Sequence, residues 1–192
     1  MPSSNLELWK ILVVDDDRDI HALTKILFSD LEFQGRGIQF LYAESAAVAQ
    51  KMMDEMGSRI AIVLLDMVMG DRNAGIKVID HVRKINLNLK TRFIVRTAVQ
   101  ETQPSGSFMK DFDIDCSVLK SELTVPDFRE KMLQALGRYE SKLTANIPEK
   151  EFLNSIILQM RALKADHLSP IGKEKVEVIV NALEEYYHGV LG

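Results

Sequence analysis

Apolar residues in this chain recur at two spacings that take turns along its length. The run Ala61-Ile62-Val63-Leu64-Leu65 contains no polar residue and closes on Asp66. An uninterrupted apolar run of that kind predicts a strand buried on both faces, which is the habit of parallel sheets covered by helices. Ile11-Leu12-Val13-Val14, Ile38 to Ala43, Phe93-Ile94-Val95 and Cys116 to Leu119 read the same way, and with Ile60 to Leu65 they make five strands. Between them the spacing becomes helical. Ile20, Leu23, Leu27 and Leu31 predict a helix from about Asp19 to the low thirties, stopping near Gly35 and Gly37. Ser45 is placed to cap a helix that runs through Met52, Met53 and Met56 to Gly57, and those methionines are expected to pack inward. Ile76, Val78, Ile79, Val82 and Ile85 predict a third helix, and Phe108 to Phe112 a short fourth. Thr124, with Pro126 in the first turn and Asp127 in the capping-box position, opens a fifth through Phe128, Met132 and Leu136. Strands and helices in alternation predict an α/β fold, a five-stranded doubly wound parallel sheet, because each parallel pair needs a crossover and right-handed crossovers put helices on both faces.

The helical spacing continues beyond that fold. Asn146-Ile147-Pro148-Glu149 looks like a helix start, followed by Phe152, Leu153, Ile156, Ile157, Met160 and Leu163; after Ser169-Pro170 come Val176, Ile179, Val180, Leu183, Tyr187 and Val190. The expected organisation is therefore a domain over residues 9–142 and a helical hairpin over 146–192. The sheet already has helices for both faces, so the hairpin's apolar stripes are expected to pair two copies into a homodimer.

Composition narrows the function without naming it. The 192 residues are 46% hydrophobic and 27% charged, enough apolar material for one core plus an appendage. A net charge of -4, with acids outnumbering bases beyond Asn146, gives no footprint for nucleic acid. Cys116 is the one cysteine, so an intrachain disulfide is excluded, and it is expected in the core. No apolar run approaches membrane-spanning length and the first residues lack a secretory pattern, so no membrane is expected as a partner and the location expected is cytoplasmic. His21, His81, His167 and His188 are scattered without metal-ligand spacing.

The chemistry lies at strand ends. Asp15 and Asp16 end the first strand, Asp66 the third, Thr97 the fourth and Lys120 the fifth, and a parallel sheet gathers its strand ends along one edge. Unit charges about 4 Å apart repel by roughly 4 kcal/mol at an effective dielectric of 20, so three clustered carboxylates call for a cation. Magnesium suits an all-oxygen site that keeps waters and bridges to a phosphoryl group. Lys120 would offset a further charge. A carboxylate in such a place can act as a nucleophile and accept a phosphoryl group.

The pieces Ile11-Leu12-Val13-Val14-Asp15-Asp16-Asp17, Leu64-Leu65-Asp66-Met67-Val68-Met69, Val95-Arg96-Thr97-Ala98 and Val118-Leu119-Lys120 resemble the response-regulator receiver domains of two-component signalling. The resemblance covers about residues 9 to 142 and implies the strand order 2-1-3-4-5 of CheY-like folds. It implies Asp66 as phosphoacceptor, with a histidine kinase or phosphotransfer protein as donor. Asp16 and Asp66 would hold magnesium directly, Asp15 largely through a water, and the Val68 carbonyl would be a further ligand. Thr97 would turn its hydroxyl to the phosphoryl group on activation and Lys120 would pair with it. Such a domain switches a protein interaction, so the chain itself is not expected to be an enzyme. The Asp66 loop, Val95-Arg96-Thr97 and the stretch from Lys120 to Thr124 are also similar to a subgroup of receivers that precede cyclic-dinucleotide phosphodiesterase domains.

Four positions depart from the family pattern. Gly70 stands where proline usually follows the methionine, and Gly75 lies nine residues past Asp66, one more than usual. Ser117 takes the place of the aromatic that reports activation, and Ser121 that of the proline after the lysine. Two other readings compete. Asp15-Asp16-Asp17 superficially fits the haloacid-dehalogenase-like phosphatases, with Asp15 as nucleophile, although no acidic pair ends a strand after Lys120. The other is a degenerate receiver used only for docking or dimerisation, against which the acidic set is intact.

Overall fold

The structure, a computed structural model, describes residues 7–122 and 124–144, together with 156–157, 172, 174 and 176–183. The chain divides into two compact units, Met1–Leu143 and Thr144–Gly192. The first contains β1 (Trp9–Val14), α1 (Arg18–Leu27), β2 (Glu32–Phe33), β3 (Arg36–Ala43), α2 (Ala46–Met56), β4 (Ile60–Asp66), α3 (Ala74–Asp80), β5 (Arg92–Thr97), α4 (Gly106–Asp111) and β6 (Cys116–Leu119), followed by α5 (Val125–Thr144). The sheet runs β2-β3-β1-β4-β5-β6, with every pair parallel except β2 with β3.

Alternate residues of the central strands feed two cores. Leu12, Val14, Val63, Leu65, Phe93 and Val95 pack with Ala49 and Met53 of α2 and Val78 and Ile79 of α3 on one face. Ile11, Val13, Ile62, Leu64 and Ile94 pack with Phe28, Leu31 and the Phe128, Met132 and Leu136 side of α5 on the other. β4 is buried at every position, as its apolar run requires. In register, Val14 lies beside Leu65, Asp66 beside Arg96, and Thr97 beside Leu119, so the ends of β1, β4, β5 and β6 form one edge.

The sheet has six strands where five were expected, and the first helix is shorter than its spacing implied. α1 stops at Leu27, where the Phe28 N–H still bonds to the Thr24 carbonyl at 3.2 Å. Phe28 turns inward against the Phe128 ring, and Leu31 fills its periodic place from a buried turn rather than from the helix. The chain then reverses through Gln34 and Gly35, both with positive φ (52° and 72°), the conformation that a two-residue hairpin demands. Trp9 anchors this hairpin: its indole N–H bonds to the Phe33 carbonyl at 3.0 Å and the Arg36 guanidinium lies 3.6 Å above its ring.

Ser45 caps α2 by accepting the Val48 N–H, and Thr124 does the same for the Asp127 N–H of α5. α3 widens into an i→i+5 turn over His81–Ile85, closed by the Asn86 N–H on the His81 carbonyl at 2.8 Å, and this leaves Ile85 exposed rather than in the core. Cys116 is half-buried at the edge strand, not a core residue. No helix among the described residues is long and apolar enough to cross a membrane. In the second unit Ile157 and Val180 are buried while Val178 and Ile179 are exposed. The turn at Ser169-Pro170 and most of the expected hairpin stripe lie outside the described residues.

Candidate functional site

The end of β1 is pinned before any side chain acts. The Asp15 N–H bonds to the Ala43 carbonyl at 3.1 Å, which carries the sheet ladder one residue past the strand and leaves the Asp15 side chain with no exposure to solvent. The Asp17 N–H returns to Asp15 Oδ1 at 3.1 Å, while the Asp17 carboxylate caps α1 by accepting the Asp19 N–H at 2.9 Å. These bonds turn Asp15 inward and leave Asp16 exposed at the rim. Asp66, the last residue of β4, is 5% exposed and accepts the Val68 N–H on Oδ1 at 3.1 Å. One oxygen from each of Asp15, Asp16 and Asp66 lies within 4.8 Å of the others. An all-carboxylate donor set of that spacing fits a hard cation.

Lys120 closes the pocket. Its backbone N–H bonds to the Thr97 carbonyl at 2.8 Å, and its ammonium reaches Asp66 Oδ2 at 2.7 Å and Asp15 Oδ2 at 2.9 Å. Burial pulls the Lys120 pKa down, but the bonds to Asp66 and Asp15 outweigh it and hold the value above the ordinary lysine range. A second cation stands behind it. Arg96, 5% exposed, places Nη2 3.3 Å from the same Asp15 Oδ2. Burial depresses its pKa, against the pull of Asp15 and Asp66. Three carboxylates against two cations leave the pocket one negative charge.

The loop after Asp66 is a closed turn despite its extra residue. Gly70 takes a φ of 67°, the Asp71 N–H reaches back to the Met69 carbonyl at 2.7 Å, and the Asp71 carboxylate accepts the Asn73 N–H at 3.0 Å and the Lys77 ammonium at 2.5 Å. The Gly75 N–H returns to the Met67 carbonyl at 3.2 Å. Val68 lies in this loop beside Asp66, half-exposed. Thr97 sits at the sheet edge but faces elsewhere: its hydroxyl is 2.9 Å from the Val99 carbonyl and in contact with the Thr102 hydroxyl. Ser117 is half-buried on β6 with no hydrogen-bond partner for its hydroxyl, beside a polar cleft of about 340 Å³ lined by Gln103, Glu122, Asp127 and Lys131.

No family model matches the chain. A receiver domain protein from Clostridium thermocellum superposes with a TM-score of 0.59 at 25% identity, over 72% of this chain and 100% of that one. Neighbours of the chain among solved structures are response-regulator receiver domains, and the chain has their CheY-like fold. A CheY-like receiver from Methanospirillum hungatei has the same fold, with a TM-score of 0.56 at 22% identity over 71% of this chain and 99% of its own. Among curated proteins, the 3'3'-cGAMP-specific phosphodiesterase 2 of Vibrio cholerae is 32% identical over 133 residues, 69% of this chain. The chain spans about a quarter (25%) of that relative's length.

The phosphodiesterase relative corrects one expectation. A chain expected not to be an enzyme matches a protein named for an enzymatic activity, so that exclusion does not stand. Of the receiver residues expected at the site, Asp15, Asp16, Asp66 and Lys120 are brought together and Val68 flanks them; the Thr97 hydroxyl is directed away. Arg96 is a pocket residue that the sequence motifs do not reveal, although an arginine ending an apolar central strand must find an acid to be buried. The phosphatase reading needs Asp15 to meet a substrate, and Asp15 has no exposure to solvent; its Oδ1 accepts the Asp17 N–H and its Oδ2 the Lys120 and Arg96 cations.

Proposed function

We propose that this receiver accepts a phosphoryl group on Asp66 from a histidine kinase or phosphotransfer protein, in a magnesium-dependent reaction, and that the change alters a protein interaction. The observation that carries this reading is the Lys120 ammonium bridging Asp15 and Asp66 beside Asp16, at the edge where β1, β4 and β6 end. Asp16 and Asp66 would hold magnesium directly, with the Val68 carbonyl as a third ligand, and Asp15 would act through a water. Bound there, the ion would neutralise charge on the transferring group. The chain's own part is positioning: the Val68 N–H fixes one Asp66 oxygen, and Lys120 is already in reach of the other. Phosphorylation would draw Lys120 toward the new dianion and give the Thr97 hydroxyl a reason to leave Val99 and Thr102 for it.

Incubation with a small phosphodonor such as acetyl phosphate tests the reading. Intact-mass measurement should find one added phosphoryl group, labile to alkali as an acyl phosphate and absent when EDTA is present. Labelling that persists undiminished in EDTA contradicts it.

The curated relative's name supports an output as well. We connect this receiver to turnover of a cyclic dinucleotide, with 3'3'-cGAMP the first substrate to try. Chromatography of 3'3'-cGAMP incubated with the protein, phosphorylated or not, would follow its loss; no loss in either state, and none in a longer natural protein carrying this chain, removes the connection.

A further inference from the structure

Arg96 has no part in the reading above, yet its charge is buried in the pocket against Asp15. Asp15 has no contact with solvent, and its Oδ2 already receives the Lys120 ammonium at 2.9 Å. The guanidinium reaches the same oxygen at 3.3 Å, a longer approach than its neighbour makes. Its Nε is buried with no hydrogen-bond partner, and its Cζ lies 5.8 Å from the centre of the Phe128 ring. A buried cation with donors to spare, on an acid that already has a partner, is over-provision for the resting state. The provision is matched if the first partner leaves.

We propose that Arg96 is a positioning residue of the acceptor pocket that retains Asp15 when Lys120 transfers to the phosphoryl group on Asp66. The proposal rests on the reading that Asp66 is phosphorylated. Without Arg96, the movement of Lys120 would leave a buried carboxylate with the Asp17 N–H as its one direct hydrogen-bond donor from the protein, a costly state that would resist the switch. With it, Asp15 keeps a cation throughout. The charges agree. An acyl phosphate carries about two negative charges at neutral pH. With Asp15 and Asp16 this makes about four, which a divalent ion, Lys120 and Arg96 together neutralise. Before phosphorylation, a divalent ion, Lys120 and Arg96 against three carboxylates leave one surplus positive charge, so the guanidinium opposes metal binding.

Arg96 should therefore act with opposite sign in the two states, which loss of packing cannot imitate. The test is calorimetric titration of the full chain, first with magnesium alone and then with beryllofluoride at saturating magnesium. Arg96→Gln and Arg96→Met should bind magnesium about 3- to 10-fold more tightly than wild type, because one unit charge is removed from a low-dielectric pocket. The same variants should bind beryllofluoride about 10-fold more weakly, and Arg96→Lys should return both affinities toward wild type. Gln retains an N–H for Asp15 and so remains informative if Met does not fold. Unchanged affinities, or weakening of both ligands together, overturn the proposal. If wild type binds neither ligand, the phosphoacceptor reading itself has failed, and that result is distinct from either.

Discussion

Two adjacent aspartates differ here in what their oxygens are free to do. Asp15 has Oδ1 on the Asp17 N–H and Oδ2 shared by Lys120 and Arg96, while Asp16 is exposed at the rim of the pocket. Asp15 is already compensated by two cations and closed to solvent, so Asp16→Ala should weaken magnesium binding by about 10- to 100-fold and Asp15→Ala by less. Calorimetric titration of both variants decides it, and an equal or reversed ranking contradicts the assignment. Four of the pocket's five charged residues, Asp15, Asp16, Asp66 and Lys120, could be read from the sequence because each follows a run of apolar strand, and parallel strands bring such ends together. Arg96 and the direction of Thr97 could not. A charge between Val95 and Thr97 looks the same whether it faces the acids or solvent, and the Thr97 hydroxyl is directed by Val99 and Thr102 in the loop beyond β5.

At the scale of elements, β4 and α3 meet without clearance. A methyl group on Gly75 would stand 2.7 Å from Met67 Cα and 3.0 Å from the Asp66 carbonyl oxygen, so the first turn of α3 rests directly on the strand end that presents Asp66. Gly75→Ala should cost about 1 to 3 kcal/mol in urea denaturation and slow phosphorylation of Asp66, because relief requires the strand end to shift. Stability and labelling rate equal to wild type would show that the contact yields freely. The opposite edge is held by Arg92, which pairs with Asp113 at 2.7 Å and Asp115 at 2.8 Å. Nearby, the buried Arg83 guanidinium donates to the carbonyls of Thr91, Phe112 and Asn88 and ties the two loops together. The hydrogen bond from Arg92, helped by Lys142 and opposed by partial burial, depresses the Asp113 pKa below the usual carboxylate range. A depressed acid stabilises the fold above its unfolded pKa, near 4, and loses that contribution as pH falls toward its folded value. Asp113→Asn should therefore lower Tm at pH 7, and the deficit should shrink as pH falls from about 4 to about 2; a constant offset across that range contradicts the linkage. Strand cores were legible because they are continuous apolar runs. The β2–β3 hairpin was not, since Leu31 continues the helical spacing of α1 and the turn rests on the backbone conformation of Gln34 and Gly35.

For the whole molecule, the alternation of continuous apolar runs with helical spacing was enough to read an α/β sheet with a functional edge, because crossover geometry permits few other arrangements. What the chain joins is a different question. Its match covers a quarter (25%) of the phosphodiesterase relative, so its place in a larger activity rests on proposal. We further propose that the second unit pairs two copies, since Val178 and Ile179 are exposed neighbours on a helical segment while Val180 is buried. Sedimentation should find a dimer, and Ile179→Glu should give a monomer whose receiver melts as before. A wild-type monomer at high micromolar concentration, with or without beryllofluoride, excludes the pairing.

The central claim is that Asp66, and no other acid of the pocket, carries the phosphoryl group. The most direct measurement is to phosphorylate the protein with acetyl phosphate and magnesium, reduce the acyl phosphate with borohydride, and locate the resulting homoserine by peptide mass spectrometry. The account predicts homoserine at position 66 alone and none in Asp66→Asn. Homoserine at position 15 or 16, or undiminished labelling of Asp66→Asn, would contradict it.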